Sequence, residues 1–562
     1  MKHIYKFLIG ALLLFISSQQ VIGQDIVDLP ASNPYIVDAI AGDTTGTGER
    51  NNPDRIYRLE RGGSYLIDKA FVVNYPLHLI ATDGDGRLPM IASGKDAEGA
   101  NIRPTIQFTS DNETHTIENI LFTGVDLDRK HNGEEWFSGL TFLGDSSSIS
   151  IQGCVFNYFT SGGVNVGGKG NSVYLRDCIW RNHIDNDHPF SGQQITLGLQ
   201  LDTLVVTNCT QFNGNSYWLL HETVSNYTLI EHNTIFATMI NGLFMPYHTM
   251  ANIRSNLFYA YSSYGDTELS RTNKWYEGDQ EPLGTLSIRK VPTRVMTQAG
   301  LTEEERIINV TNNAYYWPQA IKDYWAAYDT VTGPVWMNDR TIAMFDDNVE
   351  GRSYPYLHRE NNIEADPKFT DTAMEEFIIG ELAAMCTEMR ETSTSGWGIY
   401  TGDRNYDVHL GDDALTGIQW PLPEDLAYSD AVLLTAGHDG LPVGDLNWFP
   451  DKRAEYVEDP IEPVSVEKDN SAEMPTVYEL SQNYPNPFNP STVINFSIPT
   501  SGVTTLKVFN VLGQEVAELV NNELAAGNYK YEFDASQLTS GVYFYQMQSN
   551  QYSEVRKMML LK

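Results

Sequence analysis

Ile151-Gln-Gly-Cys-Val-Phe156, Tyr174-Leu-Arg-Asp-Cys-Ile-Trp180 and Ile253-Arg-Ser-Asn-Leu-Phe258 share one shape: alternating apolar residues, a small polar or Cys position, then an aromatic. Residues 117–122, 205–212, 230–236 and 308–315 repeat it. The aromatic anchors lie 34, 24, 32, 24, 22 and 57 residues apart, so a basal spacing of 22 to 24 is lengthened by insertions. Period-2 alternation with scarce helical spacing predicts three short strands per turn of a stacked coil. A leucine-rich repeat has a similar period, but its Leu-x-x-Leu-x-Leu signature is missing. Asn119, Asn208, Asn233, Asn256 and Asn313 recur at or near the turn of each rung. Amides stacked there can hydrogen-bond along the column, in a fold where each coil buries its neighbour.

This repeat resembles the right-handed parallel β-helix of the pectate-lyase-like superfamily, over roughly residues 35 to 370. The first coils are expected in Arg55-Ile-Tyr-Arg-Leu-Glu-Arg-Gly-Gly63 and in the apolar runs at 65–67, 71–73 and 77–80. The fold class is therefore all-β: a right-handed parallel β-helix with a mixed C-terminal cap, followed by a small antiparallel β-sandwich. We place a signal peptide at 1–23, the β-helix at 24–370, the cap at 371–450, an acidic linker at 451–475 and a second domain at 476–562. Helical spacing is expected at 301–307, 318–328 and 375–391, the last with Phe377, Ile378, Leu382, Met385 and Met389 on one face. Asp439-Gly-Leu-Pro-Val-Gly-Asp-Leu-Asn-Trp448 resembles the Gly-Asp-x-x-Trp closing segment of β-helix proteins common in Bacteroidetes-type bacteria.

Composition narrows the partners. The formal net charge is −36, with no clustering of Lys and Arg that could neutralise phosphates, so nucleic acid is excluded. Lys2, His3 and Lys6 precede an apolar run from Phe7 to Ile16 that suits a signal peptide and is too short to span a bilayer. No transmembrane segment is expected in the mature chain. Cys154, Cys178 and Cys209 each fall two or three residues before an anchor aromatic, which predicts a column of unpaired, buried thiols. Cys386 stands alone.

Residues 476–562 carry Asn483-Tyr-Pro-Asn-Pro-Phe-Asn-Pro-Ser-Thr492, four strand patterns, and a final Arg556-Lys-Met-Met-Leu-Leu-Lys562. They are similar to the type A C-terminal sorting domain of the type IX secretion system along essentially their whole length. An immunoglobulin-like module would share the sandwich but would not require that ending. The resemblance implies the secretion machinery as a partner, passage across an outer membrane, and release or attachment at the cell surface.

For the β-helix the resemblance implies a polysaccharide partner and, as the leading expectation, a lyase acting on an acidic glycan. β-Elimination needs a Lys or Arg base and a cation such as Ca²⁺ to stabilise the carboxylate next to the reacting carbon. The densest candidate is Trp180-Arg-Asn-His-Ile-Asp-Asn-Asp-His188. There Arg181 would serve as base or clamp, His183 and His188 in acid–base roles, and Asp185 and Asp187 as hard oxygen ligands for Ca²⁺. His221 and Glu222 follow their rung at a comparable distance. Tyr217, Trp218, Tyr261 and Trp275 are candidates for stacking on sugar rings. The alternative is a non-catalytic carbohydrate-binding or adhesive surface protein, in which the Asp and Asn of the 181–188 turn simply bond the backbone.

Overall fold

The computed structural model describes residues 25–456 except 46–49, 97, 101, 126–137, 185–191, 222, 241–242, 246, 268–283, 290, 292–305, 347–353, 355, 393–399, 403 and 410–418. From 457 onward it describes all but 459–465, 469–474, 476, 485, 489–490, 501, 512–513, 525–526, 536–537, 539–540, 551 and 562. The chain divides into two compact units, 1–456 and 457–562. The expected signal peptide at 1–23 lies outside the described residues.

Short alternating strands of the coils pair in parallel with the strands one coil earlier and one coil later, while Asp266–Thr267 and Val331–Thr332 pair antiparallel beside them. Three stacks result: an eleven-stranded sheet A from Ile26–Leu29 to Leu357–Glu360, a ten-stranded sheet B from Ser64–Ile67 to Ile363–Glu364, and a seven-stranded sheet C from Val72–Val73 to Leu243–Phe244. The chain visits A, B and C in turn, as in Thr114–Glu118, Leu121–Thr123 and Leu140–Phe142, which makes this unit a parallel β-helix. Alternate residues point into the lumen: Ile149 and Ile151 from sheet A, Phe156 from B, and Val164 and Val166 from C are all buried. At the N-terminal end Val37–Ala41 forms a short helix that buries Val37 and Ile40 against this core.

The corner between sheets A and B explains the recurring Asn, Asp and Gly. Asn119, Gly153, Asp177, Asn208, His232, Ser255, Asn312 and Asn361 all sit in the left-handed region, with φ between 50° and 62°. Asn, Asp and Gly tolerate that conformation best. The next residue in each coil forms a column, Ile120, Cys154, Cys178, Cys209, Asn233, Asn256, Asn313 and Asn362. Amide-to-amide bonds of 2.9 Å link Asn233 to Asn256, Asn256 to Asn313, and Asn313 to Asn362. Upward from Asn233 the chain of contacts continues through the Cys209 N–H, 2.9 Å from Asn233 Oδ1, and the Cys178 N–H, 3.4 Å from Cys209 Sγ. Asn119 and Asn208 therefore belong to the left-handed turn, one place before the ladder. Cys154, Cys178 and Cys209 are buried and unpaired, as expected, and so is Cys386.

Register also corrects the anchor alignment. Phe122, Phe156 and Trp180 stack in the lumen at 5.3 Å intervals. Trp180, however, pairs with Gln211, and Gln211 with Ile235, so Phe212 and Phe236 point outward beside Arg181. They form a second aromatic column with Tyr259 and Tyr316, at spacings of 5.6, 5.3 and 6.0 Å. An outward aromatic column survives only if something covers it, and residues 369–448 do so. Phe369 lies edge-on to Phe236 and Tyr259, Tyr406 meets Phe212, and Leu422 packs with Leu88, Leu121 and Val155. The helix Thr372–Thr392 buries Ile378, Leu382, Met385 and Met389, with Phe377 half-buried against Tyr406. The segment expected as a C-terminal cap docking back on the helix runs along the flank of the coil stack.

The second unit holds two four-stranded antiparallel sheets. Its first edge strand, Val466–Lys468, pairs with Gly527–Asp534, so part of the stretch expected as linker belongs to a sheet. Leu480, Ile494, Phe496, Leu506, Val508, Tyr545, Met547, Met558 and Leu560 fill the core.

Candidate functional site

Arg181 leaves the outer face of sheet B fully buried and meets two carboxylates brought by the flank segment. Its Nε and Nη2 each donate to Glu424 at 2.7 Å. Nη1 and Nη2 donate to Asp407 at 2.6 and 2.7 Å, and Nη1 also reaches Asn157 Oδ1 at 3.2 Å. Every nitrogen of the guanidinium is engaged. Burial opposes its charge, but Asp407 and Glu424 outweigh burial and hold it firmly protonated. Asp407 accepts further bonds from Tyr158 Oη at 2.7 Å and Asn182 Nδ2 at 3.3 Å. Burial pushes its pKa up while Arg181 pulls harder the other way, so it stays ionised. The expectation of an exposed base or clamp at Arg181 is corrected: this cation ties the flank segment to the coils, and no N–H remains for a substrate.

The other described candidates are also internal. His183 is fully buried beneath the Phe156 carbonyl, 3.2 Å from Nε2, and burial lowers its pKa to about 3. His221 points into the lumen from sheet C between the Leu197 carbonyl at 3.1 Å and Ser225 Oγ at 2.9 Å, with its pKa lowered to about 4 by burial. Both are neutral at physiological pH and fully buried, which corrects their placement as surface acid–base groups. Trp218 and Tyr261 are buried core residues, so neither offers a face to a sugar ring. Tyr217 is the exception, half-buried two residues before the sheet C strand Leu219–His221. Asp185, Asp187, His188, Glu222 and Trp275 lie outside the described residues, so the structure joins them to no other candidate.

The floor that sequence reasoning missed is the outer face of sheet C, whose central row is half-buried. Gln107, Thr141, Asn165, Thr196 and Leu220 occupy successive register positions there, between buried neighbours on either side. Parallel strands repeat at roughly 4.8 Å, so four hydrogen-bonding side chains form a regular row along the solenoid axis. Thr109, Leu143, Gly167 and Gly198 follow as an exposed row in which two glycines keep the surface low. The signal was present as a polar residue at the centre of each x-polar-x triplet, in Ile106–Phe108, Leu140–Phe142, Val164–Val166 and Ile195–Leu197. Two of the sequence-predicted stretches border this sheet along the chain: 185–188 precedes the strand Ile195–Leu197, and Glu222 follows His221 directly.

In the second unit the two halves of the C-terminal signature meet. Asn486 Oδ1 accepts the Met559 N–H at 2.9 Å, and Asn486 Nδ2 donates to the Lys557 carbonyl at 3.3 Å. The Phe488 N–H donates to Met559 O at 3.0 Å, and the Leu561 N–H to Phe488 O at 2.9 Å. Tyr545 Oη accepts the Asn483 N–H at 2.8 Å and donates to the Ser481 carbonyl at 2.7 Å. The Asn-Tyr-Pro-Asn-Pro-Phe segment is thus stitched along the last strand, whose Met558 and Leu560 face the core.

Among the described residues no helix is long and apolar enough to cross a membrane. No curated protein and no solved structure matches the chain. Residues 482–561 match the secretion system C-terminal sorting domain, and with it the protein is one that the type IX system delivers to the cell surface or the extracellular space.

Proposed function

We propose that the exported β-helix binds a polysaccharide without cleaving it, using the polar outer face of sheet C as its floor. The observation that carries this reading is the row Gln107, Thr141, Asn165 and Thr196, four outward hydrogen-bonding groups at strand spacing with a low, glycine-containing row beside them. An extended polymer of repeating hydroxyls suits such a lattice, since each coil offers the same contact to the next sugar. Catalysis is the weaker reading because β-elimination needs a cationic base at the surface, and Arg181 is consumed by Asp407 and Glu424. A net charge of −36 repels a polyuronate, so an acidic glycan would bind through Ca²⁺, with Asp185 and Asp187 as its proposed ligands.

The test is titration of the exported protein with neutral and acidic polysaccharides, with Ca²⁺ and with chelator, while absorbance near 232 nm is followed. Binding without new absorbance, weakened at least tenfold in a Gln107→Ala/Asn165→Ala variant, is the expected result. A rise in absorbance would establish a lyase and overturn the non-catalytic reading. Binding that ignores the double substitution would remove sheet C from the site.

A further inference from the structure

A second cluster lies at the A–B corner, away from the floor of sheet C. The loop from Gly437 to Gly444 folds back over it, with Gly440 and Gly444 in the left-handed region at φ 80° and 96°. A β-carbon on Gly437 would stand 3.3 Å from His232 Cε1 and 2.8 Å from Asp439 Oδ1, so only glycine lets this loop close on the imidazole. The loop brings His438 and Asp439 to His232, and one ligand atom from each of the three lies within 4.8 Å of the others.

The hydrogen bonds around His232 make this more than a chance grouping. Its Nδ1 lies 3.3 Å from the Gly444 carbonyl, an acceptor only, a contact that the Nδ1–H tautomer satisfies. A neutral ring then turns the lone pair of Nε2 toward Asp439 Oδ2, 3.1 Å away. A lone pair facing a carboxylate at that distance needs a cation between them. A proton on Nε2 would serve, but it would give the second imidazole, 5.8 Å from the first between ring centroids, no part to play. A metal ion uses all three groups. Ideal Zn–N and Zn–O lengths at a tetrahedral angle put such ligand atoms about 3.4 Å apart, near the 3.1 Å between His232 Nε2 and Asp439 Oδ2.

The outer contacts have the form that orients metal ligands. Ser255 Oγ is 2.8 Å from His438 Nδ1 and accepts the His438 N–H at 2.9 Å, while the Leu441 N–H donates to Asp439 Oδ1 at 3.0 Å. Glu231 Oε2 lies 3.7 Å from His438 Nε2, but this carboxylate is already held by Arg254 and by Tyr456 Oη, which leaves it behind the ligand set. The His232 side chain is fully buried, whereas those of His438 and Asp439 are 22% and 24% exposed, so a fourth position opens to water.

We infer that His232, His438 and Asp439 form a Zn²⁺ site, with water as the fourth ligand, that pins the 437–444 loop to the coil stack. The test is equilibrium dialysis of the full chain, stripped with chelator, against Zn²⁺, with thermal unfolding in parallel. One tightly held zinc per chain and a higher melting temperature are expected. His438→Ala and Asp439→Asn, both at partly exposed positions, should each weaken binding at least tenfold, since even outer-sphere changes cost about 10- to 100-fold. Unchanged binding in both variants, or no uptake by the parent chain, overturns the site. Cobalt substitution of the parent chain gives a second readout that does not depend on the variants folding. Four-coordinate visible bands without a thiolate charge-transfer band are expected, and a thiolate band or six-coordinate spectrum would refute the assignment.

Discussion

Arg181→Met removes the cation from a site that keeps both of its anions. Asp407 has no exposed surface and Glu424 is 3% exposed, so neither can rehydrate without opening the flank segment. Four charge-assisted bonds of 2.6 to 2.7 Å vanish at once. Stranding one partner of a buried pair costs about 3–5 kcal/mol, and two carboxylates facing each other place this site at the upper end. The remedy is to neutralise them: Arg181→Met combined with Asp407→Asn and Glu424→Gln should recover at least half the loss, because a buried ion cluster contributes little beyond a neutral, well-packed replacement. Urea unfolding followed by tryptophan fluorescence is the assay. All 10 tryptophans precede residue 457, so the signal belongs to the β-helix unit alone. A loss below about 1 kcal/mol, or a triple variant no more stable than the single one, would refute the account of Arg181 as an internal tie.

Four further outcomes are expected. Asp445, buried and 2.6 Å from Thr210 Oγ1, is pushed by burial from 3.8 to about 7, so the folded state holds its proton where the unfolded chain has released it. Its stabilising contribution is complete at acid pH and drains away as pH rises from about 4 to about 7, by up to about 4 kcal/mol; Asp445→Asn should therefore raise the melting temperature more at pH 8 than at pH 5, and equal shifts would contradict this. Asn256→Ala breaks the amide ladder on both sides, leaving the Asn233 N–H without its acceptor and removing one donor from the Ile230 carbonyl, at about 1–3 kcal/mol. Asn256→Cys, the residue other coils use in that slot, should cost distinctly less in the same denaturant titration. The four thiols should resist a disulfide reagent in the native protein and all react in urea, since burial raises Cys154 and Cys209 and takes Cys386 to about 12. Asn486→Ala should loosen the second unit by about 1–2 kcal/mol and lower the fraction of protein reaching the medium, measured by immunoblot; full export of an unfolded second unit would break that link.

What could be read from the chain was whatever repeats locally. Alternation gave the strands, and the Asn, Asp and Gly recurrence marked the A–B corner, because a left-handed turn restricts residue type at a fixed place in every coil. The aromatic register failed at Phe212 and Phe236 because both faces of sheet B are apolar there, and an aromatic one place along looks the same in sequence. The outer face is apolar because Phe369 and Tyr406 cover it from 133 to 194 residues downstream. Arg181 misled for the same reason: its partners are 226 and 243 residues away, and a cation beside His and Asp reads equally as a site or a tie. His232 escaped notice because its partners His438 and Asp439 sit in a loop whose own sequence signals only a turn.

The stitching of Asn486 and Phe488 to residues 557–561 has a temporal consequence. A ribosome releases the Asn-Tyr-Pro-Asn-Pro-Phe segment some seventy residues before the strand that holds it. Until then Met558 and Leu560 are missing from the core, and the sandwich cannot close. A chain broken off anywhere upstream therefore never displays the finished module. The sorting module is thus finished only after everything before it has been made.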